Sequence, residues 1–236
     1  MNKLWAFTKR TLRWLGILTL AWLAVTIIAV LLLRWCNPLT TSFILRDRIV
    51  AWFNHDAAYH FEHRWIDYRH IATPMKLAVV ASEDQKFPDH HGFDFESMQL
   101  AWDHNQHGRK IKGASTITQQ VAKNLYLWSG RSLLRKAIEA YFTVLLETFC
   151  SKQRILEIYL NSAEFGKGVF GVEAASHRYF HKTAAQLNSS EAALLAAVLP
   201  APKRLLVNKP SAYLRARQGW IVTQIPNVDS SGLIAP

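Results

Sequence analysis

The chain has 236 residues, 50% of them hydrophobic and 12% aromatic, enough for one globular domain and one further element. Lys and Arg number 28 against 17 Asp and Glu, and the net charge of +11 asks for a negatively charged partner. Two cysteines without a C-x-x-C and ten histidines without an H-E-x-x-H argue against a dedicated zinc site.

The first predicted element runs from Trp14 to Leu33, "WLGILTLAWLAVTIIAVLLL", 20 residues without a charge. At about 1.5 Å of rise per residue it spans roughly 30 Å, the hydrocarbon thickness of a bilayer, and is expected to cross a membrane. Residues 1–13 carry Lys3, Lys9, Arg10 and Arg13 and no acid, which keeps the N-terminus cytoplasmic and the rest of the chain outside. The apolar run exceeds the usual signal-peptide core of about 7–15 residues, and no A-x-A site follows it. Cys36 follows Arg34 and Trp35, where a lipid-attachment site would carry small residues. Outside that membrane nucleic acid is not the expected anion, whereas lipid headgroups and phosphorylated lipid carriers lie alongside.

Residues 34–72 intersperse Trp35, Trp52, Phe53, Tyr59, Phe61, Trp65 and Tyr68 with Arg46, Arg48, Arg64 and Arg69. Two readings stay open. The aromatics sit in a membrane interface, or a small lobe packs them as its own core.

From residue 73 the pattern is helical almost throughout, giving a mainly α class with 73–222 as the main domain. Thr73-Pro74 opens a helix through about Glu83, and Asp94 opens another to about His107. "GRKIKG", 108–113, reads as a basic flexible loop, with Ser115 as the candidate cap of the next helix. Ser132 precedes the longest run, where Leu134, Ile138, Tyr141, Leu145 and Phe149 mark one buried face. Ser151, Ser190 and Ser211 are further expected caps. "GVFGV" is the stretch best suited to a short strand. The tail 223–236, with one charge and two prolines, is expected to be poorly ordered.

Three constellations can carry chemistry. Glu83 closes the apolar run "MKLAVVAS", and an apolar neighbourhood raises a carboxyl toward the pKa of a general acid or base; the plainer reading is a solvated helix-end charge. Arg131, Arg135 and Lys136 crowd a helix start, where the macrodipole disfavours cations and favours a phosphate or pyrophosphate. Glu139 lies on the same face, so a local ion-pair cluster is the alternative. Finally, Ser115, Thr116, Thr118, Gln119, Gln120, Lys123 and Asn124 concentrate neutral donors suited to a polyhydroxylated ligand, or simply form a polar helix face.

Taken in order, these runs resemble the peptidoglycan glycosyltransferase family, the lysozyme-like domain of monofunctional transglycosylases and class A penicillin-binding proteins. Glu83-Asp84, Phe87, His90 and Gly92 fit E-D-x-x-F-x-x-H-x-G. Gly113, Ser115 to Ile117, Gln119-Gln120 and Lys123-Asn124 fit G-x-S-T-I-x-Q-Q-x-x-K-N. Arg135-Lys136 with Glu139 fit R-K-x-x-E, and Lys152, Ile155 to Glu157 and Tyr159 to Asn161 fit K-x-x-I-L-E-x-Y-L-N. Relatives often carry R-Y-N-P further on, where this chain has Arg204 and "LLVNKP".

The resemblance implies polymerisation of membrane-bound lipid II into β-1,4-linked glycan strands, with inversion and loss of undecaprenyl pyrophosphate. It implies Glu83 as the base. Asp84, Ser115, Thr116, Gln119, Gln120, Lys123, Asn124, Arg131, Arg135 and Lys136 would bind substrate, while Phe87, His90, Gly92 and Gly113 would shape the site. Glu139 would orient substrate or hold a divalent cation, Mg or Mn, at the pyrophosphate; no organic cofactor is implied. Lipid II, the growing strand and cell wall synthesis or division proteins are the implied partners, at the bacterial inner membrane. No S-x-x-K or K-T-G occurs, so a transpeptidase activity is not expected. A lytic muramidase on the same scaffold and a noncatalytic anchored glycan- or lipid-binding module are the competing readings.

Overall fold

The computed structural model describes residues 2–107, 113–130 and 132–234. Its first element, α1 (Asn2–Leu32), continues the apolar run back through the basic segment, where neither Gly nor Pro interrupts it. This helix is seated on the rest of the chain. Val30 and Leu33 are buried, and Trp22 stacks on Tyr141 of α6 (Leu133–Phe149) with ring centroids 5.1 Å apart. The hydroxyls of Thr26 and Tyr141 meet at 2.7 Å. Arg154 of α7 (Lys152–Ser162) donates to the carbonyls of Leu33 and Cys36, both at 2.7 Å, supplying a cation and donors where a helix C-terminus has free carbonyls.

The aromatic segment divides in two. Helix α2 (Ser42–Phe53) leaves Trp52 and Phe53 about 70% exposed (71% and 67%), so these two are not core residues. Trp65 and Tyr68, by contrast, pack against the main core, and β1 (Glu62–His63) runs parallel to β3 (Val169–Phe170), which pairs antiparallel with β2 (Glu164–Gly166). Asn161 stitches this segment in, accepting from the Ile66 amide at 2.8 Å and donating to its carbonyl at 2.9 Å. Residues 62–72 therefore belong physically to the catalytic body. β3 lies within the stretch singled out as strand-like.

The core is a helical packing of α3 (Thr73–Glu83) against α9 (Ser189–Val198) and α10 (Ala212–Gln224), beside α5 (Ile117–Tyr126) packed on α6 and α7. The small side chains of "AALLAAV" bury α9 from Ala192 to Val198 and let its neighbours approach closely. α4 (Phe95–His107) lies outside this packing, with Phe95, Leu100 and Trp102 largely exposed, and α8 (Val172–Phe180) covers the sheet.

Asp94, Ser132, Ser151 and Ser211 cap α4, α6, α7 and α10 as expected, each accepting from a backbone amide three residues on. Two caps shift. α5 begins with Thr116, whose hydroxyl accepts from Gln119 N while the Gln119 side chain accepts from Thr116 N, a reciprocal pair that Ser115 cannot form. The same pairing by Asn188 and Glu191 opens α9, leaving Ser190 inside the first turn.

The predicted face of α6 is corrected too. Leu134 is exposed and Ile138, Tyr141, Leu145 and Phe149 are half-buried, whereas Glu139, Phe142, Thr143 and Leu146 point to the centre. The tail differs most from expectation. Ile225–Asn227 forms a short 3-10 turn, Val228 and Leu233 are buried, and the Tyr68 hydroxyl donates to Leu233 O at 2.7 Å. Its low charge reflects apolar residues covering the core.

Candidate active site

The cleft begins where α3 stops. Met75, Ala78, Val79, Val80 and Ala81 are buried, so Glu83 emerges at the rim of an apolar surface with a side chain only 12% exposed. Burial pushes its carboxyl pKa up; the Gln120 hydrogen bond, the Arg217 charge, the Ser82 hydroxyl and Lys123 oppose this. Gln120 donates through Nε2 to Glu83 Oε2 at 3.0 Å, and buried Tyr159 donates to Gln120 Oε1 at 3.2 Å. Tyr159 thereby fixes which way the Gln120 amide faces.

Asp84 has a different surrounding. It accepts the Ile117 amide at 2.9 Å at the start of α5, and His90 Nε2 lies 3.0 Å from both its oxygens. Gly92 N donates to His90 Nδ1 at 3.1 Å, which leaves Nε2 as the donor to Asp84. Gly92 has a φ of +86°, and a Cβ there would lie 2.7 Å from Thr143 Cγ2; only glycine fits. The Thr116 hydroxyl donates to Gly92 O at 2.7 Å, while Lys152 bridges the His90 carbonyl and Glu147 and lies over the Phe87 ring.

Several residues expected to touch substrate also carry the local structure. Asp84, Thr116 and Gln119 are buried at 7%, 2% and 2% exposure with polar groups engaged inside the protein, bracing the turn, while Asp84 and Thr116 still border the cavity beside Glu83. Ser115 and Gly113 are exposed on the cleft wall, with Gln120, Lys123 and Asn124 half-buried along it. Residues 108–112 of the basic loop and Arg131 lie outside the described residues.

The cation cluster is present. Arg135 donates to Glu139 Oε2 at 2.8 Å, and Lys136 contacts Oε1. Burial and the charges of Arg135 and Lys136 lower the Lys123 pKa, and Glu139 and Glu83 raise it, so Lys123 feels both the cluster and the candidate base. A protein-held divalent ion does not fit here. Both Glu139 oxygens are engaged by cations, and the described residues gather no group of three His, Cys, Asp or Glu side chains anywhere.

Two cavities border α5, one at its cap and one along its middle. One of about 380 Å³ is lined by Glu83, Gln85, Ser97, Ser115 and Trp220. The other, of about 410 Å³, is lined by Phe43, Gln120, Lys123, Asn124, Glu164 and Lys203. Lys203 joins Asp47 of α2 to Glu164, whose pKa is pushed up to about 7, first by burial and also by Asp47, against the pull of Lys203. Lys203 thus reaches the wall where Arg204 marks the departure from R-Y-N-P. Sequence reasoning placed Tyr159 in a motif without a role and missed Trp220 and Arg217, whose Nη2 stands 3.8 Å from Glu83 Oε1.

Comparison with known proteins supplies the family. A protein-family model described as Transglycosylase matches residues 48–226. The chain is similar to the biosynthetic peptidoglycan transglycosylase of Xanthomonas axonopodis pv. citri (strain 306), 48% identical over 92% of this chain and 88% of that one. Proteins with the same name from Pseudomonas entomophila (strain L48) and Cronobacter sakazakii (strain ATCC BAA-894) are 50% and 51% identical, over 87% and 88% of this chain and 87% of each relative. The chain therefore belongs to the transglycosylase family, as a peptidoglycan transglycosylase of cell wall biosynthesis.

Proposed function

We propose that the chain polymerises lipid II, with Glu83 as the base. The observation that carries this reading is one carboxylate, buried at the rim of the cleft, linked through Lys123 to a cluster of cations. The acceptor sugar enters the cavity lined by Ser115 and Trp220 and presents its 4-hydroxyl to Glu83. Its oxygen bonds to the donor's anomeric carbon from the face opposite the pyrophosphate, the proton passes to Glu83, and the carbon–oxygen bond to undecaprenyl pyrophosphate breaks with inversion. Lys123, Arg135 and Lys136 stabilise the charge that collects on the leaving group.

Purified protein given lipid II is expected to yield glycan polymer. Fragments released from preformed glycan would instead identify a muramidase, and neither product would identify a noncatalytic module.

The cation cluster can be separated from a purely structural ion pair. Lys136 is 43% exposed and Arg135 keeps Glu139 paired without it. Lys136→Ala should therefore change stability by no more than about 1 kcal/mol, the scale of a half-exposed pair. Donor affinity should fall about tenfold or more, as for a lost hydrogen bond to a charged group. Melting curves and lipid II titration measure the two effects.

The described residues contain one helix, Phe7–Leu32 within α1, long and apolar enough to cross a membrane. The basic residues at its N-terminal end, Lys3, Lys9, Arg10 and Arg13, orient the N-terminus to the cytoplasm and the cleft to the opposite face, where peptidoglycan is built. Trp52 and Phe53 then meet the lipid surface. In a chain shortened to begin at Pro38, replacing both with Ser should weaken binding to anionic vesicles roughly tenfold or more without lowering the melting temperature, because large apolar side chains leave lipid rather than a core. Unchanged partitioning would place the membrane contact elsewhere on the chain.

A further inference from the structure

α10 turns Leu214, Arg217, Gln218 and Ile221 toward the protein, and Arg217 is the one charge on that inward stripe. Leu214 and Ile221 are fully buried, and Gln218 is fixed by donating to Ser190 O at 2.7 Å and Ser190 Oγ at 3.0 Å. The helix therefore delivers the guanidinium to a set place. Its Nη2 donates to Ser82 Oγ at 3.1 Å and weakly to Ser82 O at 3.5 Å, while its buried Nε has no partner. Glu83 is the one carboxylate among the described residues within ion-pair distance of it.

The separation matters. A guanidinium in bidentate contact would occupy the lone pairs that a base needs. Here Gln120 takes Glu83 Oε2, whereas Oε1 has only the Ser82 hydroxyl at 3.5 Å and Arg217 Nη2 at 3.8 Å. Oε1 remains open to accept a proton, beside a positive charge that stabilises the carboxylate without bonding to it.

We infer that Arg217 is a positioning residue for the transfer reaction: anchored on Ser82, its guanidinium stands off Glu83 Oε1, favouring the ionised carboxylate while leaving that oxygen free to take the acceptor's proton. This rests on the reading of Glu83 as the base. The other charged or titratable groups facing Glu83 are Asp84 on its own turn, Lys123 from α5 and Tyr159 from α7; α9 presents apolar side chains. Asp84 is held by His90 and the Ile117 amide, and Lys123 is shared with Glu139, so Arg217 is the cation whose nearest carboxylate is Glu83.

The test is the pH dependence of kcat/KM for lipid II polymerisation by the full chain in detergent. Removing the charge makes Glu83 harder to ionise, so the acid limb should move to higher pH. Arg217→Gln is expected to lose about tenfold on the acid side, the order for one opposite charge removed from a nearby carboxylate, and to approach the unmodified rate at higher pH. Arg217→Lys should recover most of that loss. Ser82→Ala, which frees the anchor and also removes the Ser82 contact with Oε1, should move the limb in the same direction; Arg217→Met, which keeps the stem without the charge, serves if Arg217→Gln does not fold. A deficit constant across pH, or an unmoved limb in every variant that folds, overturns the inference and leaves Arg217 a packing residue. Glu83→Gln, run alongside, fails separately: substantial activity in it would sink the base assignment itself, whatever Arg217 does.

Discussion

Replacing Glu83 with Gln is expected to lower polymerisation by about 10²–10⁴-fold while leaving lipid II binding nearly intact and raising the melting temperature at neutral pH. The rate falls because an amide cannot take the acceptor's proton. The stability rises for a separate reason. Burial raises the Glu83 pKa above its ordinary value of 4.5, so the folded state binds this proton more tightly than the unfolded chain. That contribution is fully present below the unfolded value and is lost as pH rises through the folded one. Above that range the ionised carboxylate costs stability, and a neutral isostere removes the cost. The Gln side chain still offers an oxygen to Gln120 Nε2, so the wall of the cleft stays satisfied. Variant and parent should therefore melt alike at acid pH and diverge in favour of the variant as pH rises. Near-normal turnover would remove Glu83 from the base role, and a melting temperature that falls with rising pH relative to the parent would contradict the burial argument.

Much of the cleft was legible because its parts are local. Pro74 sits in the first turn of α3, where its missing N–H costs nothing, Asp94 caps α4, and Glu83 ends α3 at the edge of its own apolar run. Thr116 and Gln119 show how a local signal can be read two ways. Their T-x-x-Q spacing is a capping box as much as a row of sugar-binding donors, and the fold uses it as the former. The face of α6 was misjudged because hydrophobic spacing cannot register a buried carboxylate. Glu139 turns inward with its two cations, and the half-buried apolar stripe includes Tyr141, which packs on α1. Arg217 was not legible at all. Nothing local in "LRARQGW" separates it from Arg215, and its partners Ser82 and Glu83 are brought to it only when α10 packs on α3. The order of the tail was likewise hidden, since Val228 and Leu233 find their places against residues far away in sequence.

Glu139→Ala should be the most destabilising of these changes, and the loss should be partly reversed by inorganic pyrophosphate. Glu139 is 2% exposed and pairs with Arg135, itself 12% exposed in its side chain, and with Lys136. Truncating the carboxylate leaves a nearly buried guanidinium, whose Nε already lacks a partner, facing Lys136 and Lys123 without a counter-charge. Breaking such a pair from one side costs about 3–5 kcal/mol, which in a chain of this size is a fall on the order of 10 °C in melting temperature. The repulsion is also what a leaving group would relieve. With Glu139 present the cluster carries two positive charges beyond neutrality, and without it three, so a pyrophosphate anion should bind the variant at least as tightly as the parent. By mass action it should then raise the melting temperature of Glu139→Ala more than that of the parent, with Glu139→Gln between them. Polymerisation should still be lost in the alanine variant, because an anion drawn into a collapsed cluster is not held in line with Glu83. Equal and negligible shifts with pyrophosphate in all three proteins would mean that these cations serve the fold alone.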